Sequence, residues 1–400
     1  MTSYDVIVVG ARCAGSPTAM LLAQRGYRVL LVDRAEFPSD TVSTHVVQAP
    51  AVAALDRWGL LGEVTDSGAP PMATYSFDFG PITLKGTPHP APGGPPHAYA
   101  PRRILLDKIL LDAAAGAGVE VRERFSVEEI LVEDGVVVGV RGHDHGGRSV
   151  VERARVVIGA DGVNSLVAST VEAQKYNEKP KLQSGFYTYF SDLPVDGFEI
   201  YVRPHSGWGA APTNDGLTMV VMGWPHDQYD ARKADPEGSF AQTLKLAPEF
   251  AERVGAAKRE ARFTGASSAN FFRKPYGPGW VLIGDAAYTK DPITAQGISD
   301  AFRDAESVAG SLDRVFSGAS TFDDAMSAHQ AARDAQVLPI FGFTTDLATL
   351  EPPSPEQQHL FGAILGNQAA IDDFVSINAG TVSPADFFSP ENLGRLMAPT

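Results

Sequence analysis

Apolar runs of strand length alternate with stretches of helical periodicity along this chain, an order typical of α/β folds. Val6–Val9 is a four-residue apolar run, and Arg28–Val32 is a second stretch of strand character. Between them, apolar positions in Ser16–Arg25 recur at helical spacing up to Gly26, which can take the left-handed conformation that ends a helix. The pattern predicts a strand–helix–strand unit at the start of the chain.

Downstream, the same patterns predict more strands and helices. Val156–Ile158 and Val281–Ile283 have the character of buried strands. The tail after about residue 325 has helical patterns that are interrupted by Glu351–Pro355. Further strands are expected near Ala73–Leu84 and at Val119–Val121, Val127–Val132, Val136–Val140, Ser149–Arg153, Phe186–Phe190, Glu199–Val202 and Leu217–Met222, and helices at Ile104–Ala115 and from about Gly297.

Composition narrows the range of partners. The formal net charge is −15, from 33 basic and 48 acidic residues, and no long basic cluster interrupts it. Such a surface repels phosphate backbones and anionic lipid headgroups, so neither nucleic acid nor membrane binding is expected. The single cysteine, Cys13, excludes an intrachain disulfide and fits a reducing compartment. No apolar stretch approaches the roughly 18 residues of a membrane span and no signal peptide is visible, so we expect a soluble, cytoplasmic protein.

The first loop carries the strongest chemical signal. It reads Gly10-Ala11-Arg12-Cys13-Ala14-Gly15 between the first strand and the first helix, and Asp33 ends the second strand 23 residues after Gly10. The first glycine allows a tight turn, the last lets the helix pack on the strands, and the helix N-terminus offers N–H groups to a pyrophosphate. An acid at the place of Asp33 suits the ribose hydroxyls of adenosine. Arg12 replaces the usual middle glycine, so the backbone approaches phosphate less freely, although the guanidinium can supply charge.

Two later motifs indicate which dinucleotide binds. Gly159-Ala160-Asp161-Gly162 follows one buried strand, and Gly284-Asp285-Ala286-Ala287 follows another, with Pro292 and Gln296-Gly297-Ile298 beyond. Together with the first loop, these motifs resemble the group A flavoprotein monooxygenases, which have the para-hydroxybenzoate hydroxylase fold, over roughly residues 3–330. The amino-acid sequences of three segments, Gly10–Gly15, Phe37–His45 and Asp291–Gly297, are most similar to a branch of this family that includes geranylgeranyl-reductase-like FAD oxidoreductases.

The resemblance implies a non-covalent FAD and assigns contacts to it. By analogy, Asp285 holds the ribityl chain, Asp161 lies beside the pyrophosphate and influences use of the nicotinamide cofactor, and Arg103 touches FAD. The expected FAD-binding residues are Gly10, Arg12, Cys13, Ala14, Gly15, Asp33, Arg34, Arg103, Val127, Asp161, Gly284, Asp285, Pro292, Gln296, Gly297 and Ile298.

Few residues are candidates for the reacting side of the flavin. The resemblance puts His45 near the flavin ring, where it lines the active site or caps a helix, and puts Gly297 at the flavin edge. His143 and His145 lie in a glycine-rich turn and are expected to be solvated, so no metal site is expected. The substrate pocket is expected to draw on aromatic residues, of which some must be core: Tyr187, Tyr189, Tyr201, Trp208 and Trp224.

The implied architecture is an α/β fold in which a Rossmann-type FAD-binding domain carries an inserted mixed β-sheet substrate domain and a C-terminal helical segment. The FAD-binding domain is expected at residues 1–75, 100–177 and 264–325, and the substrate domain at 76–99 and 178–263. The C-terminal helical region is expected at 326–400. A monomer or a homodimer fits these expectations.

The implied activity is that of an NAD(P)H-dependent FAD monooxygenase, which uses O₂ to hydroxylate or epoxidise an apolar aromatic or isoprenoid-like molecule. Only one dinucleotide-binding glycine loop is visible, so NAD(P)H is expected to visit transiently. Two alternatives stay open: a reductase of isoprenoid carbon–carbon double bonds, and a flavoprotein that binds a ligand without turnover. Halogenation is set aside because the Trp-x-Trp-x-Ile-Pro signature of flavin halogenases is absent, the nearest stretch being Gly207–Pro212.

Overall fold

The structure is a computed structural model that describes residues 4–398. The strands, in chain order, are β1 (Tyr4–Val9), β2 (Val29–Val32), β3 (Tyr75–Asp78), β4 (Thr83–Gly86), β5 (Glu120–Arg122), β6 (Ser126–Glu133), β7 (Val136–His143), β8 (Ser149–Gly159), β9 (Lys175–Lys179), β10 (Gln183–Ser191), β11 (Phe198–Arg203), β12 (Ser206–Pro212), β13 (Leu217–Pro225), β14 (Lys258–Arg259), β15 (Thr264–Ser267), β16 (Asn270–Arg273), β17 (Tyr276–Gly277), β18 (Trp280–Leu282) and β19 (Tyr288–Thr289). The α-helices are α1 (Gly15–Ala23), α2 (Ala49–Arg57), α3 (Leu61–Asp66), α4 (Arg103–Gly116), α5 (Leu166–Thr170), α6 (Tyr229–Ala234), α7 (Pro236–Leu244), α8 (Pro248–Ala256), α9 (Gly297–Phe316), α10 (Phe322–Leu347), α11 (Pro355–Ile364), α12 (Gln368–Ala379), α13 (Pro384–Phe387) and α14 (Pro390–Leu396).

The first sheet runs in the order β17-β18-β8-β1-β2-β5, and its strands from β18 to β5 are parallel. Its central strands are apolar on both faces because both faces are covered. Val6 and Val8 pack with residues of α1, α4 and α9, whereas Ile7 and Val9 pack with residues of β6, β7 and α5. The parallel order brings the carboxyl ends of β1, β8 and β18 together, and each of the three predicted motifs follows one of these strands.

One expectation about the strands is wrong, because Ser149–Arg153 and Val156–Ile158 form a single strand, β8. The first part of β8 pairs antiparallel with β7, and the second part pairs parallel with β1. Arg153 and Arg155 interrupt the apolar pattern in the sequence. Both side chains lie at the surface and pair with carboxylates on β6 and β1, so the backbone continues as one strand.

The second sheet runs in the order β14-β10-β13-β12-β11-β3-β4, with β15 also paired to β10. Its outer face packs against α7 and α8, and its inner face packs against the C-terminal helices α10 to α14. The sequence pattern does not predict β12, because Gly207 and Gly209 are of a type that is depleted in strands. Pairing with β11 and β13 on either side holds β12 extended.

The C-terminal helices close one side of the second sheet. The break between α10 and α11 falls at Glu351–Pro355, as the sequence predicts. A small sheet of β19, β16 and β9 lies next to α10, and Phe272 of β16 contacts Phe341 of α10. Across residues 4–398, no helix combines the length and the apolar character that crossing a membrane requires. The division of the chain into three domains stays an interpretation of the sequence.

Candidate functional site

The β1–α1 turn, Gly10–Gly15, is packed so closely that two of its positions have no room for a side chain. Gly10 has a φ of +104°, which favours glycine, and a Cβ there would overlap the carbonyl oxygen of Ala160. A Cβ on Gly15 would overlap the carbonyl oxygen of Gly10. The turn therefore lies directly against the end of β8, and α1 begins within it.

This turn leaves hydrogen-bond donors at the N-terminus of α1. Asp33 fixes the turn, since its Oδ2 accepts from the Ala11 N–H at 2.7 Å and its Oδ1 accepts from the Ala35 N–H at 2.8 Å. In the described part of the chain, no backbone carbonyl or side chain accepts the N–H groups of residues 12–15. Free N–H groups at the positive end of a helix favour an anion such as a pyrophosphate.

The three predicted motifs meet at this turn. Ala160, before Asp161, contacts Gly10, and a Cβ on Gly284 would lie only 2.9 Å from the Cβ of Ala14. Asp161 accepts from the Leu166 N–H at 2.7 Å through Oδ2, while its buried Oδ1 has no partner among the described residues. Burial raises the pKa of the Asp161 carboxyl. The site thus has an unsatisfied acidic group beside the anion-binding turn.

The two remaining adenosine-side candidates lie near Asp33. Arg34 is exposed, and its side chain is free to adapt to a ligand. Val127 is partly buried on β6 and packs against the core under the first sheet. The neighbouring Phe125 N–H donates to the Asp33 carbonyl at 2.8 Å, which ties this part of the chain to the end of β2. FAD contact by Arg34 and Val127 stays a prediction.

A fully buried carboxylate on α4, Asp107, organises the residues behind the turn and is not among the residues predicted from the sequence. Arg12 Nη1 lies 2.5 Å from Asp107 Oδ2, and Arg103 donates from Nε to Oδ1 at 3.0 Å and from Nη2 to Oδ2 at 3.1 Å. Cys13 Sγ lies 3.3 Å from Asp107 Oδ1. The spacing of Arg103 and Asp107 on one helix face is the signal that points to this pair.

Because Cys13 is the single cysteine and is buried against Asp107, we expect FAD to be held without a covalent bond. Burial raises the pKa of the Cys13 thiol, which disfavours the reactive thiolate. Acid precipitation of the FAD-loaded protein should leave the yellow colour in the supernatant as intact FAD. Colour that stays in the pellet, or recovery of FMN, would contradict this expectation.

Asp285 is exposed at the turn that follows β18. The preceding Gly284 has a φ of +55°, and its N–H donates to Oδ2 of buried Asp304 at 3.1 Å. Surrounding protein raises the pKa of Asp285, while the charge of Arg103 acts in the opposite sense. Within residues 4–398 no donor contacts the Asp285 carboxylate, so it is available to a ligand hydroxyl. Asp304, on α9, is a positioning residue that the motif alone does not reveal.

The turn at residues 291–296 connects β19 to α9. Pro292–Thr294 form a 3₁₀ turn that Asp291 caps, since its Oδ1 accepts from the Ile293 N–H at 3.1 Å. Ala295 is left-handed, with a φ of +50°. Gln296 donates through Nε2 to two carbonyls at the end of α12, at 3.2 and 3.1 Å. The C-terminal helices therefore hold this turn in place.

The helix α9 begins at Gly297, as the sequence predicts. A Cβ on Gly297 would meet no atom within 4 Å, whereas the next residue, Ile298, is buried in the core. The backbone of Gly297 thus faces open space at the positive end of a 20-residue helix. A flat ring can approach the backbone here.

His45 is buried and packs against the inner face of the second sheet. Its Nε2 lies 2.5 Å from the hydroxyl of Tyr189, and the two rings stack with centroids 5.8 Å apart. Burial, with Arg103 and Arg102 nearby, lowers the pKa of His45 to about 3, so the imidazole is neutral at physiological pH. Its Nδ1 has no partner among the described residues. The next helix, α2, has Gln48 as its N-cap residue, so His45 does not cap it.

The five aromatic candidates for the substrate pocket divide between the two faces of the second sheet. Tyr187 and Tyr189 lie on the inner face beside His45. The rings of Tyr201, Trp208 and Trp224 belong to the core under α7 and α8 on the outer face. Tyr201 and Trp208 stack with centroids 5.0 Å apart, and Trp224 donates to a threonine of α7 at 3.0 Å. Alternate residues of a strand face opposite sides, which separates the two groups.

A cavity of about 960 Å³ lies between the inner face of the second sheet and the C-terminal helices. Its floor contains Gly185, Gly223 and Gly207, which are direct neighbours on the adjacent strands β10, β13 and β12. Tyr201 of β11 and Trp208 of β12 also border the cavity, although their rings pack in the core on the outer face of the sheet. The absence of side chains on the floor gives the cavity its depth.

The rest of the lining divides into an apolar body and two different ends. The body includes Phe198, Ile200, Met219, Phe361, Phe388 and Met397. One end reaches the turn before α9 at Pro292, Ile293 and Ala295. The other end is exposed and carries carboxylates from Asp346, Glu351 and Glu356. Among the described lining residues there is no Lys or Arg, so the cavity favours an uncharged, largely apolar ligand.

Comparison with known proteins identifies the family. A family model for an FAD binding domain matches residues 3–337. The chain belongs to this FAD-binding family. This FAD-dependent oxidoreductase is 28% identical over 334 residues to digeranylgeranylglycerophospholipid reductase of Methanosarcina mazei. The alignment covers 77% of this chain and 74% of the relative. The finding confirms the resemblance stated from the motifs.

Solved structures of two other flavoproteins have the same fold. The flavin-dependent brominase Bmp2 superposes with a TM-score of 0.82 at 18% identity, over 99% of this chain and 97% of the brominase. PqsL of Pseudomonas aeruginosa, described as a probable FAD-dependent monooxygenase, superposes with a TM-score of 0.74 at 22% identity, over 93% of this chain and 100% of PqsL. At these identities the likeness concerns the fold.

The residues present fit FAD. Positions 10 and 15 have no room for a Cβ, and among the described residues no acceptor contacts the N–H groups of residues 12–15. Asp285 offers a carboxylate without a protein donor, and the space above Gly297 is open. The resemblance implies that these three features would hold the pyrophosphate, the ribityl chain and the flavin ring, respectively. Within residues 4–398, no group of three or more His, Cys, Asp or Glu is arranged to hold a metal ion.

Proposed function

We propose that this flavoprotein is an NAD(P)H-dependent monooxygenase that transfers one oxygen atom from O₂ to an apolar, uncharged aromatic or isoprenoid-like molecule. The observation that carries the proposal is the cavity of about 960 Å³ that runs from the turn before α9 to the acidic exposed end. Its volume lies within the range of pockets that bury a small organic ligand. The FAD contacts assigned above, including those of Arg34, Val127 and Ile298, form part of the proposal.

The chain's own residues would bind and orient the reactants and exclude water. When bound, the flavin supplies hydride acceptance and oxygen activation. The apolar lining keeps water from the reacting centre, which suppresses loss of oxygen as hydrogen peroxide. The N-terminus of α9 at Gly297 would stabilise negative charge on a bound flavin. His45 is neutral, fully buried and held by Tyr189, so it would help to pack the wall beside the site.

The second candidate, a reductase of isoprenoid double bonds, is favoured by the identity to the archaeal reductase. That relative is named for a glycerophospholipid, which bears a phosphate. Among the described lining residues there is no Lys or Arg, and Asp346, Glu351 and Glu356 at the exposed end of the cavity would repel a phosphate. The acidic end thus supports an uncharged substrate and argues against a phospholipid.

Oxygen uptake distinguishes the candidate functions. We expect an uncharged aromatic or isoprenoid compound to stimulate NAD(P)H oxidation, with one O₂ consumed for each NAD(P)H and little hydrogen peroxide released. A reductase would oxidise NAD(P)H equally well without O₂ and form a saturated product. A protein that only binds a ligand would show no substrate-stimulated oxidation. Either of the last two results would overturn the proposal.

Gly297→Val should leave the fold intact, because its Cβ meets no atom within 4 Å, but should impair the flavin. A branched side chain at the start of α9 would keep the ring from the helix N-terminus. We expect the flavin potential to fall by about 10–40 mV, which corresponds to loss of a typical helix-end interaction, and peroxide release to rise. Spectroelectrochemistry and a peroxide assay measure both.

The matched control is Gly310→Val, in the middle of the same helix, where a Cβ also meets no atom within 4 Å. It should change neither the potential nor peroxide release. An unchanged potential and unchanged peroxide release in FAD-loaded Gly297→Val would contradict the assigned role of Gly297.

A further inference from the structure

The inner end of the cavity carries a polar corner that the FAD contacts do not use. Gln183 is 9% exposed, borders the cavity at the start of β10, and donates through Nε2 to Oδ1 of Asp291. Asp291 is 1% exposed and immediately precedes the turn that carries Pro292 and Ile293 into the cavity wall. The corner therefore joins the substrate cavity to the turn beside the flavin site.

The orientation of the Gln183 amide follows from its partner. Asp291 Oδ1 also accepts the backbone N–H of Ile293 at 3.1 Å, so this oxygen is an acceptor whether or not the carboxyl carries a proton on Oδ2. Only the NH₂ end of the Gln183 amide can satisfy it. The amide oxygen, Oε1, must then point the other way.

That oxygen lies over the glycine floor of the cavity. A Cβ on Gly223 would be 2.6 Å from Gln183 Oε1, so only glycine leaves room for the amide in this position. Among the described residues no donor reaches Oε1. The cavity therefore has, at this end, one hydrogen-bond acceptor without a partner among the described residues.

We propose that Gln183 anchors the substrate by accepting a hydrogen bond from a neutral O–H or N–H group, and that the substrate is therefore a phenol-like or N–H heteroaromatic molecule. Its apolar body lies over Gly223 and Gly207 toward the C-terminal helices. A carboxylate or phosphate at this point would meet an acceptor oxygen and no cation. Asp291 acts as a positioning residue, since it fixes which end of the amide faces the substrate. This assignment rests on the proposed function, because it names the class of substrate for the same cavity.

The test is a binding titration in which FAD-loaded protein is mixed with hydrogen-bond donors or with their methylated counterparts. The change in flavin absorbance reports binding of each compound. The probes are 2-naphthol against 2-methoxynaphthalene and indole against 1-methylindole. In a purely apolar cavity the methylated compound binds at least as tightly, because it buries more apolar area. With the Gln183 acceptor present, we expect each donor to bind about tenfold more tightly than its methylated partner.

Variants test whether Gln183 causes the preference for hydrogen-bond donors. Gln183→Leu should reduce the donor preference to about twofold or less, and Asp291→Leu should do the same by releasing the amide. Asp291→Asn keeps an acceptor for both N–H groups and should retain the preference. Met219→Leu, a similar apolar change elsewhere in the lining, should also retain it. If Gln183→Leu does not fold, the comparison of Asp291→Asn with Asp291→Leu still shows whether the orientation of the Gln183 amide determines the donor preference.

Equal binding of donors and methylated compounds by the unaltered protein would overturn the proposal, as would a preference that survives in Gln183→Leu. Failure of both donors to bind would also overturn it. The titration requires neither NAD(P)H nor O₂, so it tests the role of Gln183 independently of the proposed monooxygenase activity. Donor preference without oxygen uptake would contradict only the proposed function, and oxygen uptake without donor preference would contradict only the role of Gln183.

Discussion

Gly15→Ala is expected to destabilise the protein by roughly 3 kcal/mol or more and to remove most of its FAD. The added Cβ would overlap the carbonyl oxygen of Gly10, which is backbone and cannot rotate away. Gly10 is itself held, since its N–H donates to Val32 at 2.8 Å and its α-carbon packs against Ala160. Relief therefore requires α1 to move away from β1, which disperses the N–H groups that would bind the pyrophosphate.

The measurement is chemical unfolding of the apoprotein, together with the FAD content of the purified protein. Gly310→Ala is the control, because it makes the same change in α9 where a Cβ meets no atom within 4 Å. Alanine is favoured over glycine inside a helix by about 1 kcal/mol, so the control should be slightly stabilised and retain FAD. Normal stability and FAD content in Gly15→Ala would show that the turn is not packed as described.

Asp285→Ala and Asp33→Ala should each weaken FAD binding by roughly 10–100-fold, the effect of losing a hydrogen-bonding carboxylate. The two variants should differ in the apoprotein. Asp33 accepts two backbone N–H groups, so its loss should lower the unfolding midpoint. Asp285 is exposed and its carboxylate accepts no hydrogen bond from the described residues, so its loss should leave the midpoint unchanged or raise it.

Titration of each apoprotein with FAD measures the affinity, and thermal unfolding without FAD measures the midpoint. Asp56→Ala, an exposed carboxylate on α2, is the control and should alter neither quantity. Equal FAD affinity in Asp285→Ala, Asp33→Ala and Asp56→Ala would contradict the assigned contacts. An apoprotein destabilised by Asp285→Ala would instead show a structural role for that carboxylate.

The sequence was sufficient for the elements that carry local patterns. The glycines at 10 and 15, the acid at 285 and the helix start at 297 each follow from short-range requirements of turns and helix ends, and the structure has them in the expected elements. Their meeting at one edge also follows, because parallel strands bring their carboxyl ends together. FAD as the dinucleotide depended on the combination of three motifs rather than on any one of them.

Features that depend on contacts between distant parts of the chain could not be predicted from local sequence patterns. Asp107 is buried by residues about 95 positions away in the chain, and its spacing from Arg103 is equally typical of an exposed ion pair on a helix. The pattern of alternation puts Tyr187 and Tyr189 on one face, but it does not say which face the cavity occupies. Gly207 and Gly209 weaken the strand signal of β12, and Gly207 is also part of the cavity floor, so a residue that shapes the cavity makes its own strand hard to predict.

The C-terminal region shows the same difficulty. Its helices are evident from periodicity, but their contact with the second sheet depends on apolar faces from distant parts of the chain. Phe361, Phe388 and Met397 are ordinary core candidates in the sequence, and only the fold makes them lining residues of the cavity. Gln296, which binds carbonyls at the end of α12, links these helices to the turn beside the flavin site.

The most direct test of the central claim is the origin of oxygen in the product. The FAD-loaded protein would be incubated with NAD(P)H, ¹⁸O₂ and the compound that most strongly stimulates NAD(P)H oxidation, and the product would be analysed by mass spectrometry. We expect a product that is heavier than the substrate by one ¹⁸O atom. A product that gains two hydrogen atoms and no ¹⁸O, formed equally without O₂, would contradict the account.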